Sequence, residues 1–182
     1  MGFLRAFAAL LLLVTAAIVQ AQSADVNLDR LAEAVNAINE NQLTRAEELL
    51  NSVLATSRND ADALNLLGVV RAKQDRIADA ERLFRRALAS LPSHVGAHVN
   101  LAELLLTHDR SAEAMPILDA FLSRHPADQG LLLAAIVSQY EIVQGGQVAS
   151  VEDVNKMRRY VTAYKGPEST LARKYLESIQ AK

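Results

Sequence analysis

The residues with the widest chemical reach are four histidines, and two of them, His94 and His98, stand four positions apart. On a helix that spacing places both imidazoles on one face, where they could present two nitrogen ligands to a divalent metal. No acid stands between them in a His-Glu-x-x-His arrangement, and His108 and His125 fall in turn regions, so ordinary surface histidines are expected and no metal site. Nucleophilic and phosphate chemistry have less support still. The chain has no Cys, no glycine-rich phosphate loop and no Gly-x-Ser-x-Gly turn. Arg82, Arg85 and Arg86 form a basic cluster on positions not needed for packing, which reads as a solvated outer face rather than a patch for acidic partners or headgroups. The sequence thus predicts a chain that is not an enzyme and needs no cofactor.

The elements that would carry these residues are helices. Apolar residues make up 51% of the 182 positions, yet aromatics are only 4% and Trp is absent, so Ala and Leu supply the core. That composition suits close-packed helices rather than strands rich in Val, Thr and aromatics. The formal net charge of -2 sets up no global field for nucleic acid or an anionic membrane. The first residues stand apart from the fold. Met1 to Arg5 carries one positive charge, residues 6–19 are an apolar run, and Val19, Gln20 and Ala21 supply the small residues at which a signal peptidase cuts. The run is shorter than the roughly 18 to 20 apolar residues a membrane span needs. Residues 1–21 are therefore expected to be a secretory signal cleaved near Ala21, the alternative being a helix retained as an anchor. Cleavage would release the chain to the periplasm or the exterior. Without Cys there is no lipidation site at the cut and there are no disulfides, so stability must come from packing.

The decisive pattern is a period of 34 residues. Segments 43–54, 77–88 and 111–122 align so that Ala46, Ala80 and Ala114 form one column, followed by Leu50, Phe84 and Leu118, then Val53, Ala87 and Phe121, then Leu54, Leu88 and Leu122. Upstream, Ala34, Gly68 and Ala102 keep the same step, and Pro92 and Pro126 close two units. Within 64–92 the order is Leu64, Leu67, Gly68, Arg71, then Ala80, Phe84, Ala87 and Pro92. In these residues the chain resembles the tetratricopeptide repeat family, whose helical unit has this length. The resemblance departs from the family pattern at Leu64 and Arg71, which replace large aromatics, and at Arg30 and Glu33 in the first unit. It implies an all-α, right-handed solenoid of antiparallel helix pairs: repeat one over 27–60 after a short segment 22–26, repeat two over 61–94, repeat three over 95–128, a degenerate fourth over 129–165, and a capping helix over 166–182.

Helices are expected near 25–40, 43–57, 60–74, 77–91, 94–108 and 111–124. Asn59, Asp60 and Asp75 are read as cap or turn residues, and Pro116 as tolerated near a helix start, where a missing N–H costs least. Gly68 should let two backbones approach. Beyond 128 a long apolar helix is broken at Gly145 and Gly146. The next begins at Ser150, which forms a capping-box pattern with Asp153. Its inward stripe is Met157, Tyr160, Val161 and Tyr164, and that of the last helix is Leu171, Tyr175 and Ile179.

In the family, the first helices of successive units line a concave surface that holds a segment of another protein. The resemblance places three columns there: Leu31, Asn65, Val99 and Leu133; Val35, Val69, Glu103 and Val137; Ile38, Ala72, Leu106 and Tyr140. Ten of the twelve are apolar and none is Lys or Arg. Relatives that grip the acidic carboxylate tail of chaperones use Lys, Arg and Asn in such columns, so that role is disfavoured. An apolar or amphipathic segment fits better. The same stripe could instead be covered by the chain's own terminal helix, because a large uncovered apolar patch is uncommon on a soluble monomer. The functional expectation is an exported adaptor or scaffold for protein–protein interaction. Its alternatives are a self-assembling structural subunit, with homo-oligomers, and an accessory subunit of an envelope enzyme complex.

Overall fold

A computed structural model describes residues 25–146 and 149–180. The segment expected to be a signal peptide lies outside them. Among the described residues there are nine helices and no strands: α1 (25–39), α2 (Leu43–Thr56), α3 (Ala61–Lys73), α4 (Ile77–Ser90), α5 (Val95–Leu106), α6 (Ser111–Leu122), α7 (Gln129–Gln144), α8 (Val151–Ala163) and α9 (Ser169–Gln180). The chain forms two compact units whose boundary, between Leu83 and Phe84, falls inside α4.

The helices begin and end at chemically determined places. The side chains of Asp60, His94 and Asp128 accept hydrogen bonds from the backbone N–H groups of Ala63, Ala97 and Leu131, capping α3, α5 and α7 at positions 34 residues apart. Each satisfies one of the donors that a helix start leaves without an intrahelical partner. Asn41, Asp75 and Asp109, also 34 residues apart, have φ of 59°, 59° and 57°. In the left-handed region Asn and Asp are the best tolerated residues after Gly. Around them Gln42 N–H donates to the Ala37 carbonyl at 2.7 Å, Arg76 to Arg71 at 2.9 Å and Arg110 to Leu105 at 2.9 Å. These are Schellman closures, which stop one helix and turn the chain into the next.

In the first unit, Asn27 near the start of α1 donates to the Thr56 hydroxyl at 3.1 Å at the end of α2, so the two helices run antiparallel. α2 packs on α3, and the pair is tied near the start of α2 and the end of α3 by Arg71 and Glu47, whose two N–H···O bonds measure 2.6 and 2.5 Å. The alanine column packs as expected: Ala46, Ala80 and Ala114 are fully buried, and so are Leu50, Phe84 and Leu118. Leu54 and Leu88 of the fourth column are only half-buried, whereas Leu122 is buried.

In the second unit α6 packs on α5 and α7, and α7 in turn on α8 and α9. The Ser111 hydroxyl donates to Glu141 at 2.5 Å, joining the start of α6 to the end of α7. α8 starts in a full capping box, with Asp153 N–H donating to the Ser150 hydroxyl and Ser150 N–H donating to the Asp153 carboxylate. Its Lys156 and Tyr160 both donate to Asp119 of α6. Gly166 follows α8 because a Cβ there would lie 2.1 Å from the Tyr164 hydroxyl, which is held on Glu168.

Two expectations are corrected. Pro116 is the sixth residue of α6, past the first turn. Its missing N–H therefore leaves the Ala112 carbonyl without the i+4 donor, and the cost is not avoided by position. Leu171 points outward, 43% exposed, and Ala172 takes the inward place with Tyr175 and Ile179. α9 begins at Ser169, and the buried stripe falls at spacings of three and four residues from Ala172, one position beyond Leu171.

Candidate functional site

The histidines separate into different tasks. His94 accepts the Ala97 N–H through Nδ1 at 3.0 Å and is the cap of α5. His98, expected on the surface, is buried because α5 turns that face toward α6, where its ring lies 5.0 Å from that of Phe121. Its Nε2 lies 3.1 Å from the Pro92 carbonyl, which can only accept, so Nε2 carries the proton. Nδ1 of His98 has no hydrogen-bond partner among the described residues. His125 stacks on the other side of Phe121 with ring centroids 4.3 Å apart, and His108 Nδ1 lies 2.7 Å from the Leu104 carbonyl. The four imidazoles are thus occupied by caps, carbonyls and an aromatic stack. Among the described residues no group of three or more His, Cys, Asp or Glu is placed to hold a metal. Arg82, Arg85 and Arg86 are exposed; Arg82 pairs with Asp79 at 2.7 Å and Arg85 reaches Glu113 at 4.0 Å.

A concave feature with an apolar interior lies between α5 and α7. These two helices are in contact, and the cleft between them encloses about 300 Å³. Its α5 wall is Val99, Ala102, Glu103 and Leu106, with Thr107 at the end of the helix; its α7 wall is Gly130, Leu131 and Ala134, with Asp128 at the cap. The amphipathic pattern of α5 explains this wall. Leu101, Leu104 and Leu105 are buried in the unit, and Val99 and Leu106 on the adjoining face are left half-exposed. Gly130 and Ala134 are one turn apart and short, so the α7 wall recedes and the cleft opens. The Glu103 side chain is exposed at the mouth and makes no hydrogen bond or ion pair among the described residues. The cleft is therefore an apolar depression with carboxylates at its rim. Its size and apolar lining suit it to holding an apolar side chain.

Of the twelve residues expected along the concave columns, Val99, Glu103 and Leu106 line this cleft. Leu133 and Val137 are half-exposed on α7 outside it. Tyr140 stacks on Tyr175 of α9, ring centroids 4.1 Å apart and planes inclined by 16°, so the terminal helix covers that end of the column. In the first unit Leu31, Val69 and Ala72 are half-exposed and Val35 is exposed, while Ile38 and Asn65 are buried. Sequence reasoning missed Gly130 and Ala134, since small residues carry no hydropathy signal. The signal that could have found them is their i, i+4 spacing just inside a helix start.

Comparison with known proteins follows this geometry. Family models described as tetratricopeptide repeat match residues 31–81 and 71–136. Cellulose synthase operon protein C of Xanthomonas axonopodis pv. citri (strain 306) is 41% identical over 66 residues, which is 36% of this chain and 4% of that protein's length. The solved structure of a tetratricopeptide repeat protein from Parabacteroides merdae superposes with a TM-score of 0.69 at 15% identity, covering 86% of this chain and 61% of that one. MamA 41-end from Desulfovibrio magneticus RS-1 superposes with a TM-score of 0.63 at 17% identity, covering 86% and 94%. At these identities the superpositions establish the fold class, an all-α helical repeat. Among the described residues no helix is long and apolar enough to cross a membrane.

Proposed function

Residues 31–136 belong to the tetratricopeptide repeat family, a fold that implies protein–protein interaction, and on that premise we propose that the chain is an exported, non-catalytic adaptor or scaffold. Its ligand is an apolar or amphipathic segment of another protein, held along the first helices of the repeats. The observation that carries this reading is the cleft between α5 and α7, whose lining is mostly apolar, with Val99 and Leu106 half-exposed and Glu103 and Asp128 as its ionic residues. Anchoring by one or two apolar side chains at helical spacing suits such a depression. In the first unit the corresponding surface is Leu31, Val35, Val69 and Ala72. Export rests on residues 1–21, whose charged start, apolar run and small-residue cut site make a secretory signal.

The test is substitution of Leu106→Arg in the cleft and, separately, Val69→Arg in the first unit, followed by crosslinked capture of the partner from the native envelope. Both residues are half-exposed, so an Arg side chain can reach water and helix content should not change. Loss of the crosslinked species in Leu106→Arg with unchanged far-ultraviolet dichroism is expected. Undiminished capture would remove the cleft from consideration.

Self-assembly is the second reading, favoured by α1, which exposes Val26, Leu28 and Val35. Light scattering over a range of concentrations decides it, because a monomer at every concentration rules it out.

A further inference from the structure

The near-neutral total charge conceals a segregation. Residues 25–155 hold 11 basic and 19 acidic side chains, whereas 156–174 hold six basic and one acidic. The two sets also differ in how their cations are used. Arg45, Arg71, Arg76, Arg82, Arg85 and Arg110 each approach a carboxylate. On α8, α9 and their connection only Lys156 does among the described residues, against Asp119 at 2.5 Å. Arg158 donates to the Asn155 amide oxygen and Lys165 Nζ to the Thr162 carbonyl. Arg159, Arg173 and Lys174 are exposed and make no ion pair among the described residues. These five cations have no carboxylate partner among the described residues and give this end of the chain an excess of positive charge that an anionic ligand would relieve.

Two of them, Lys165 and Arg173, line a built concavity. Between α8 and α9 a polar cleft of about 450 Å³ is lined by Thr162, Tyr164, Lys165, Ser169, Arg173 and Leu176, with Val161 completing its wall. Lys165 stands on the α8 side and Arg173 on the α9 side, with the Ser169 hydroxyl in the lining as a further donor, whereas the Thr162 hydroxyl donates to the Arg158 carbonyl at 2.8 Å. Two cations and a serine hydroxyl lining one cleft match the acceptor oxygens of a carboxylate. The nearby acids reduce this charge without cancelling it: Glu168, which accepts from the Tyr164 hydroxyl, and Glu177 are two carboxylates against the six cations of 156–174.

We propose that the α8–α9 surface, centred on the cleft between Lys165 and Arg173, is a second docking site that takes an acidic segment of a partner protein. It is separate from the apolar cleft and does not depend on it. Three groups of observations favour a protein carboxylate over other polyanions. The tyrosines of α8 and α9 are all engaged, Tyr160 on Asp119, Tyr164 on Glu168 and Tyr175 on Tyr140, so none is a platform for stacking bases. The apolar stripe of α9 is consumed by its own fold, with Ala172 and Ile179 buried, so Leu171 alone could enter a bilayer from this helix. The cleft is also concave and polar, which suits single carboxylates entering one at a time rather than a flat lipid surface.

The experiment is fluorescence anisotropy of a labelled deca-glutamate peptide titrated with the purified chain at low ionic strength. The double variant Lys165→Ala/Arg173→Ala should weaken binding at least about tenfold, because both walls of the cleft lose their charge. Arg85→Ala/Arg86→Ala removes the same charge from α4 and should leave binding within about twofold. Arg173→Lys, with native dichroism, should retain most of it and guards against a folding artefact. Three outcomes overturn the proposal: no binding by the parent chain, equal loss in the two double variants, or retention on vesicles containing anionic phosphatidylglycerol that the peptide does not displace.

Discussion

Arg71 stands where the repeat pattern carries a large aromatic, and it joins α3 to α2 by charge where a ring would do so by area. Its side chain is 13% exposed and that of Glu47 29%, so the pair is screened less than a surface ion pair. The hydrogen bonds from Arg71 hold the Glu47 carboxyl below the usual glutamate range, against the desolvation that pushes it up, with Gln74 donating to it as well. A carboxylate with a depressed folded-state pKa adds stability that is present above its unfolded pKa, about 4.3, and is lost as pH falls through the folded value. Glu47→Gln should therefore cost about 1–2 kcal/mol near neutral pH. Measured by urea unfolding, that deficit should shrink as the pH is lowered below about 4, where the parent carboxyl also becomes neutral. A deficit that is constant with pH would show that shape and not charge holds the pair. At the same scale, the burial of His98 was not legible in the sequence. A lone imidazole four residues from another reads as a surface pair until the helix face it lies on is known.

α6 carries a cost that its neighbours do not. Pro116 lies inside it, so the Ala112 carbonyl in the first turn lacks its i+4 donor and the proline ring presses on that turn. The ring itself is exposed, so it contributes no core area in return. Pro116→Ala should stabilise the chain by about 1–3 kcal/mol, the interior proline penalty less what the unfolded state gains in freedom. Thermal melting followed by dichroism checks this; an unchanged or lowered midpoint would mean that the packing of Met115 and Leu118 depends on the distortion. The caps illustrate how much of an element is readable. Asp60, Asp75 and the Ser150–Asp153 box were identifiable because their residue types match their chemistry. Asn41 and Asp109 follow from Asp75 by the same 34-residue step, and their left-handed backbone was therefore available to the same reasoning. His94 was not, because imidazole is an uncommon cap and only its register, midway between Asp60 and Asp128, points to it. Leu171 was misplaced for another reason. A stripe read from large residues alone passes over Ala172, and α9 is rotated to bury that small side chain.

At the scale of the whole chain, the fold was legible because the repeat writes the same packing instruction three times, and agreement among columns is evidence that no single helix could supply. The candidate site was less so. A concave surface is made by what is missing, as at Gly130 and Ala134, and by which neighbour covers what, as α9 covers Tyr140; neither is encoded in the hydropathy of the residues on it. The proposed export belongs to this scale too, since it would decide which chain reaches its partner. Residues 6–19 are apolar but shorter than a span, and Val19, Gln20 and Ala21 follow at once. Cleavage after Ala21 removes one arginine and no acid, so the mature chain should begin at Gln22 and carry a formal charge of -3, one unit more negative than the precursor's -2. Intact-mass measurement of the protein recovered from the host envelope should show the loss of residues 1–21, with the chain in the soluble fraction after osmotic release. A full-length mass in the membrane fraction would instead make the apolar run a retained anchor, and both docking surfaces would then face their partners from the bilayer.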